Sequence, residues 1–161
     1  MFWAERAQEV VSVESDPSWH AVVKEQIRPN QRILLCDNQS DYIASITKQA
    51  SWFDVIIIDG KCRMDCARTM PAFLAVESSE GAMVVLDNSD WYKETARFLR
   101  DDLNLIEVDF HGFGPVNDYT WTTSVFLSRN FSFKPINAEQ PCFSIAAIQH
   151  DSREFKDGFT K

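Results

Sequence analysis

A chain of 161 residues, 45% of them hydrophobic, has the size and apolar content of one globular unit with a real core, which excludes a disordered or low-complexity polymer. Its formal charge of -8 and the lack of a long basic stripe argue against binding a nucleic-acid backbone. No apolar run approaches the roughly 20 residues of a membrane helix, and the opening MFWAERA lacks the basic-then-apolar order of a secretory signal. The expected location is therefore the cytoplasm, and the expected partner is a small molecule rather than nucleic acid or membrane.

In chain order, the first strand is predicted over Val10–Glu14. A helix follows over Pro17–Ile27, with Asp16 as its cap, Pro17 at its first position, Trp19, Val22, Val23 and Ile27 along one apolar face, and Arg28-Pro29-Asn30 as its stop. Strands are expected over Arg32–Asp37, Phe53–Asp59 and Ala82–Asp87, with helices over Asp41–Gln49, about Cys66–Val76 and Asp90–Arg100. Several of these strands are near-continuous apolar runs, as strands buried on both faces should be. Leu105–Phe110 and Trp121–Ser128 are joined by HGFGPVNDYT with no helix between them, so they should pair antiparallel. The expected fold is a three-layer α/β sandwich, mostly parallel, with a C-terminal antiparallel hairpin over residues 1–129. Residues 130–161 form an irregular tail whose one short apolar run is Phe143–Ile148. The four cysteines read as free thiols, because no second Cys or His pair stands near Cys62 and Cys66 to complete a zinc site.

Four consecutive strands end in acids: Glu14, Asp37, Asp59 and Asp87. One such acid taken alone is more often a helix cap or a solvated turn. Four in register point to a ligand, because open α/β sheets bind outside the carboxyl ends of their strands. An acid after the first strand can accept both hydroxyls of a ribose, and an acid after the next can accept from an adenine amino group.

With VVSVESDP, ILLCDN, FDVIIIDG, GAMVVLDNSDW and the hairpin DFHGFGPVNDYTWTTSVFL in place, residues 1–129 resemble the class I S-adenosylmethionine (SAM)-dependent methyltransferases with a Rossmann-like sheet. The resemblance implies Glu14 on the ribose hydroxyls, Asp37 and Asn38 near the adenine, and Asp59 near the methionine end or the substrate. It also implies a first strand and a glycine-rich loop, yet no glycine stands before Gly60, and MFWAERA resembles the helix that follows that loop. The chain is accordingly expected to be an N-terminally incomplete methyltransferase that binds SAM weakly by itself.

Asp59, Asp87 and Asn88 at adjacent strand ends suit Mg²⁺ as hard oxygen ligands, and the pattern is similar to that of metal-dependent catechol-type O-methyltransferases; alternatively, Asp87 and Asn88 cap the helix beginning near Asp90. The lysine that this family carries three places after its first Asp is replaced here by Cys62. Asp59, Asp87 and His111 are the candidate catalytic groups, and Asn88, Phe113 and Tyr119 the candidate substrate contacts. Two other readings stay open: an NAD-binding oxidoreductase, since the ribose of NAD suits the same acid, and a noncatalytic relative that binds a partner.

Overall fold

The computed structural model describes residues 2–114 and 118–134. Six strands form: β1 (Val10–Glu14), β2 (Gln31–Leu35), β3 (Val55–Ile58), β4 (Met83–Leu86), β5 (Ile106–Phe113) and β6 (Thr120–Leu127). Between them lie α1 (Pro17–Lys24), α2 (Gln39–Ala44), α3 (Arg63–Thr69) and α4 (Lys93–Arg97). Every predicted strand is present, most of them slightly shifted or shorter, and β1 has the predicted bounds. The helices are shorter than periodicity suggests because their last turns change type. Ser45–Lys48 and Met70–Phe73 tighten into 3-10 turns, and Phe98–Asp102 widens into a π turn that lets Leu99 and Leu105 both bury.

The start of α1 follows from its sequence. Asp16 Oδ1 accepts from the backbone N–H of Ser18 at 2.8 Å and of Trp19 at 3.0 Å, so the predicted cap is made. Its apolar face is not as predicted. Val23 and Ile27 turn partly inward, whereas Trp19 is 58% and Val22 46% exposed.

The strands form two separate sheets, β1-β2 and β3-β4-β6-β5. β1 pairs with β2 and β3 with β4 in parallel, and β6 lies antiparallel between β4 and β5. The hairpin was therefore expected correctly. One continuous sheet was not found: among the described residues no ladder joins β1 to β3.

The core lies on one face of the four-stranded sheet. Ile58, Val84, Leu86 and Phe126 pack there against Ala67 and Met70 from the α3 side and Ala96 and Leu99 from the α4 side. Full burial of the Ile, Val, Leu, Phe and Met side chains among them contributes about 1.5–3 kcal/mol each. The register puts Val55, Met83, Leu127 and Ile106 in one row of the opposite face, and Ile57, Val85, Val125 and Val108 in the next. That face is open among the described residues, with Ile57 43%, Val108 40% and Phe110 58% exposed. A helix layer on both faces, expected from the sequence, is realised only in part among the described residues: α1 packs on β1 and β2, and no described helix covers the second face of the larger sheet.

Asn130 and Ser132 tie the first residues of the tail to the turn before β4, where Asn130 Nδ2 donates to the carbonyls of Val76 and Ser78 and the Ser132 N–H donates to Glu80. The Phe143–Ile148 run and Pro115 of the hairpin turn lie outside the described residues.

Candidate functional site at the carboxyl edge

The ends of the paired strands β3 and β4 lie side by side, and the acid that ends β1 is positioned by the turn that follows it. Glu14 Oε1 accepts from the backbone N–H of Ser15 at 2.6 Å and of Asp16 at 2.8 Å. One carboxylate oxygen is thereby fixed and the other left available. After β2, Asp37 is exposed, whereas Asn38 is committed to α2: its Oδ1 accepts from the Asp41 N–H at 2.9 Å and its Nδ2 donates to Asp41 Oδ2 at 2.8 Å. Asn38 is a helix cap, with one of its two amide hydrogens committed to Asp41.

The turn after β3 carries the densest arrangement. Cys62 sits in the left-handed region at φ 51°, which swings the chain so that Arg63 opens α3 and points back into the edge. Its side chain is only 8% exposed. Nε donates to the Gly60 carbonyl at 2.9 Å, Nη1 to the Asp87 carbonyl, and Nη1 and Nη2 to Asn88 Oδ1 at 3.3 and 3.2 Å. Nη2 lies 3.6 Å from Asp59 Oδ1, and the guanidinium sits 4.3 Å from the centre of the Tyr92 ring. Asn88, itself left-handed at φ 50°, therefore serves Arg63. It does not cap α4, whose first residue is Lys93 and whose N-cap Tyr92 makes no side-chain cap bond.

This arrangement overturns the expectation of Mg²⁺. Two carboxylates remain near the proposed position, the third ligand already accepts from a guanidinium, and a buried fixed cation stands among them. Among the described residues no group of three or more His, Cys, Asp or Glu side chains could hold a metal. The residues do not fit the ion.

Asp59 and Asp87 do come together. Burial, then the charge and hydrogen bond of Asp87, raise the Asp59 carboxyl above its ordinary value, and Arg63 offsets this only in part. Asp87 Oδ1 accepts from Thr123 Oγ1 at 2.6 Å, which anchors it on the open face of the sheet. A carboxyl with a raised value in the folded state binds its proton on folding, so its stabilisation is complete below the ordinary carboxylate range and is lost as pH rises through the folded value. Asp59→Asn should accordingly raise stability at neutral pH by a few tenths of a kcal/mol, a small gain because the side chain is 65% exposed. The difference from wild type in urea denaturation should shrink as pH falls toward 4; a gain that grows in acid would contradict the raised value.

His111 does not join this pair. Its Nδ1 lies 2.7 Å from Thr122 Oγ1, on the α4 face, in an open cleft of about 430 Å³ that Ser89, Lys93, Arg97 and Asp109 also line. Asp87 and Thr123 are on the other face. Phe113 is 73% exposed near the hairpin tip. Tyr119 belongs to an aromatic row: it stacks on Trp91 at 6.4 Å between ring centres and tilts against Trp121 at 5.8 Å.

Tyr42 links the two sheets. It comes from α2, and its hydroxyl lies so near Gly60 that a Cβ there would strike it. Burial raises the Tyr42 hydroxyl above its ordinary value. Cys36, Cys62 and Cys66 are free thiols, and burial pushes Cys66 up to about 11, which keeps it protonated and inert at neutral pH.

No protein-family model and no curated protein matches the chain. Among solved structures, it is similar to a methyltransferase from Pyrococcus furiosus at a TM-score of 0.52 and 17% sequence identity, over 79% of this chain and 67% of that one. At that identity the likeness is one of fold: a methyltransferase-type α/β fold.

Proposed function

We propose that the chain is a SAM-dependent methyltransferase domain, spanning residues 1–129, that transfers a methyl group to a hydroxyl of a small molecule. The observation that carries this reading is that two strand-ending carboxylates, Asp59 and Asp87, share one site at the edge of a methyltransferase-type fold. Glu14, with one oxygen fixed and one free, suits a pair of ribose hydroxyls, and exposed Asp37 suits the adenine amino group. SAM, when bound, supplies an electrophilic methyl group. Asp59, raised above its ordinary value, takes the proton from the acceptor hydroxyl, and Asp87, held by Thr123, fixes its position. The row Trp91, Tyr119 and Trp121 offers an aromatic wall for the acceptor. Arg63 supplies the fixed positive charge beside the acids and takes the place that the sequence suggested for a metal.

Titration calorimetry of the full chain with SAM and with NAD tests this reading. Weak but saturable heat with SAM, in keeping with the missing glycine-rich loop, and none with NAD is the expected result. Binding of NAD alone would replace the reading with the oxidoreductase one, and binding of neither would favour a noncatalytic domain.

A further inference from the structure

β5 is the outer strand of the larger sheet, and among the described residues its second edge carries no ladder. The direction of its backbone groups follows from β6. The Ser128 N–H donates to the Ala82 carbonyl and the Ser89 N–H to the Thr122 carbonyl, so the even-numbered residues of β6 turn toward β4 and the odd-numbered ones toward β5. Through the register, Ile106, Val108, Phe110 and Gly112 bond to β6, whereas Glu107, Asp109, His111 and Phe113 present their amide and carbonyl groups on the outer edge. That edge lacks the usual guards. The pairing with β6 runs unbroken from Ile106 to Phe113, so no bulge turns it away, and the strand contains neither lysine nor proline. Every residue of the strand except Glu107 is exposed, Val108, Phe110 and Phe113 among them. Its two acids lie on the α4 face and are already engaged: Glu107 pairs with Arg100 at 2.6 Å, and Asp109 Oδ1 accepts from Ser124 Oγ at 2.5 Å.

We propose that β5 pairs antiparallel with β5 of a second copy, about a two-fold axis at Phe110, and so carries one sheet across both copies. An axis at one residue sets that residue against itself and its neighbours against one another in reverse order. Charge selects the register. An axis at Val108 sets Glu107 against the partner's Asp109 on both sides of it, and an axis at Asp109 sets that acid against itself; like charges directly opposite destabilise a ladder. An axis at Phe110 sets Asp109 against the partner's His111, twice by symmetry, and no acid against an acid. His111 Nδ1 faces Thr122 and Asp109 Oδ1 is held by Ser124, which leaves Nε2 and Oδ2 for this contact. On the open face Phe110 meets its own copy, and Val108 meets Gly112, where an added Cβ would have nothing within 4 Å and the valine has room. The outward groups of Asp109 and His111, and of Glu107 and Phe113, then bond in pairs. A second copy supplies the acid, the imidazole and the aromatic ring at the required spacing by symmetry. The contact is one ladder with a single row of side chains on each face, small against the roughly 1,600 Å² of a standard interface, so the association should reverse on dilution.

Sedimentation equilibrium and hydrogen exchange on the full chain test the proposal. The amides of Glu107, Asp109, His111 and Phe113 should be protected at high protein concentration and exchange freely on dilution, while those of Val108 and Phe110, which bond to β6, stay protected at both. Phe110→Lys and Phe110→Glu each set like charges face to face at the axis, and each should raise the dissociation constant of the dimer about tenfold or more. Mixing the two variants in equal amounts should restore association, because position 110 meets only itself. Continued protection of the Val108 amide shows that each variant is folded. A chain that stays monomeric at every concentration, a dimer that survives both substitutions, or a mixture that fails to associate would overturn the proposal. Protection of the four outer amides that does not depend on concentration would assign the edge to another segment of the same chain and overturn it equally.

Discussion

Replacing Arg63 by methionine is expected to lower the free energy of unfolding by about 3 kcal/mol, read from urea denaturation. The guanidinium donates to the Gly60 carbonyl, the Asp87 carbonyl and Asn88 Oδ1 while only 8% exposed. A hydrogen bond from a charged donor contributes about 1.5–3 kcal/mol, and acceptors left unpaired in a buried position add to the loss. Against that stands the desolvation cost of the guanidinium, which methionine relieves, so the net falls well below the sum of the bonds. Arg63→Lys keeps the charge but not the fork, and should lose a large part of the same energy. In the methionine variant Asp59 should titrate at a still higher pH, because Arg63 is the one group that lowers it. A loss below about 1 kcal/mol would mean that the strand-end turns hold their shape without it, and would remove Arg63 from its place as organiser of the edge.

The sequence made Glu14, Asp59 and Asp87 visible because each ends an apolar run, and the position of a strand end is set by where burial stops. It made the α1 cap visible for a similarly local reason: Asp16 followed by proline has few other uses. Arg63 was not legible. Between Lys61, Cys62 and Asp65 it reads as one more surface charge, and only the left-handed turn at Cys62 aims it inward. Nothing in a single sequence marks a cysteine for that conformation, as it can an asparagine such as Asn88. Asn88 was legible as a cap candidate and wrong as one, because the partner that claims it lies 25 positions away. The runs VIII and MVVL implied burial on both faces, since both of their alternating sets are apolar. What covers each face is decided by distant elements, and among the described residues only one face is covered. His111 and Asp87 looked like neighbours of one site, but the register places the side chains of His111 and Thr122 on one face and those of Asp87 and Thr123 on the other.

Glu14→Ala is expected to weaken SAM binding by about 1–3 kcal/mol, or about 5- to 150-fold in the dissociation constant, the cost of leaving charge-assisted ribose hydrogen bonds unmade. The geometry allows this effect to be separated from a structural one. Glu14 Oε1 is held by the amides of Ser15 and Asp16, so alanine also deprives that turn of its acceptor and should lower stability. Glutamine divides the two roles. Its carbonyl oxygen can still accept from Ser15 and Asp16, while its amide NH₂, a donor, stands where the second oxygen would accept from a hydroxyl. Glu14→Gln should therefore unfold at nearly the wild-type urea concentration yet bind SAM almost as weakly as the alanine variant. If glutamine instead restores wild-type affinity, the acid serves only the turn between β1 and α1. If neither variant changes the affinity, Glu14 has no part in holding the ribose, and the donor has to be sought at another strand end.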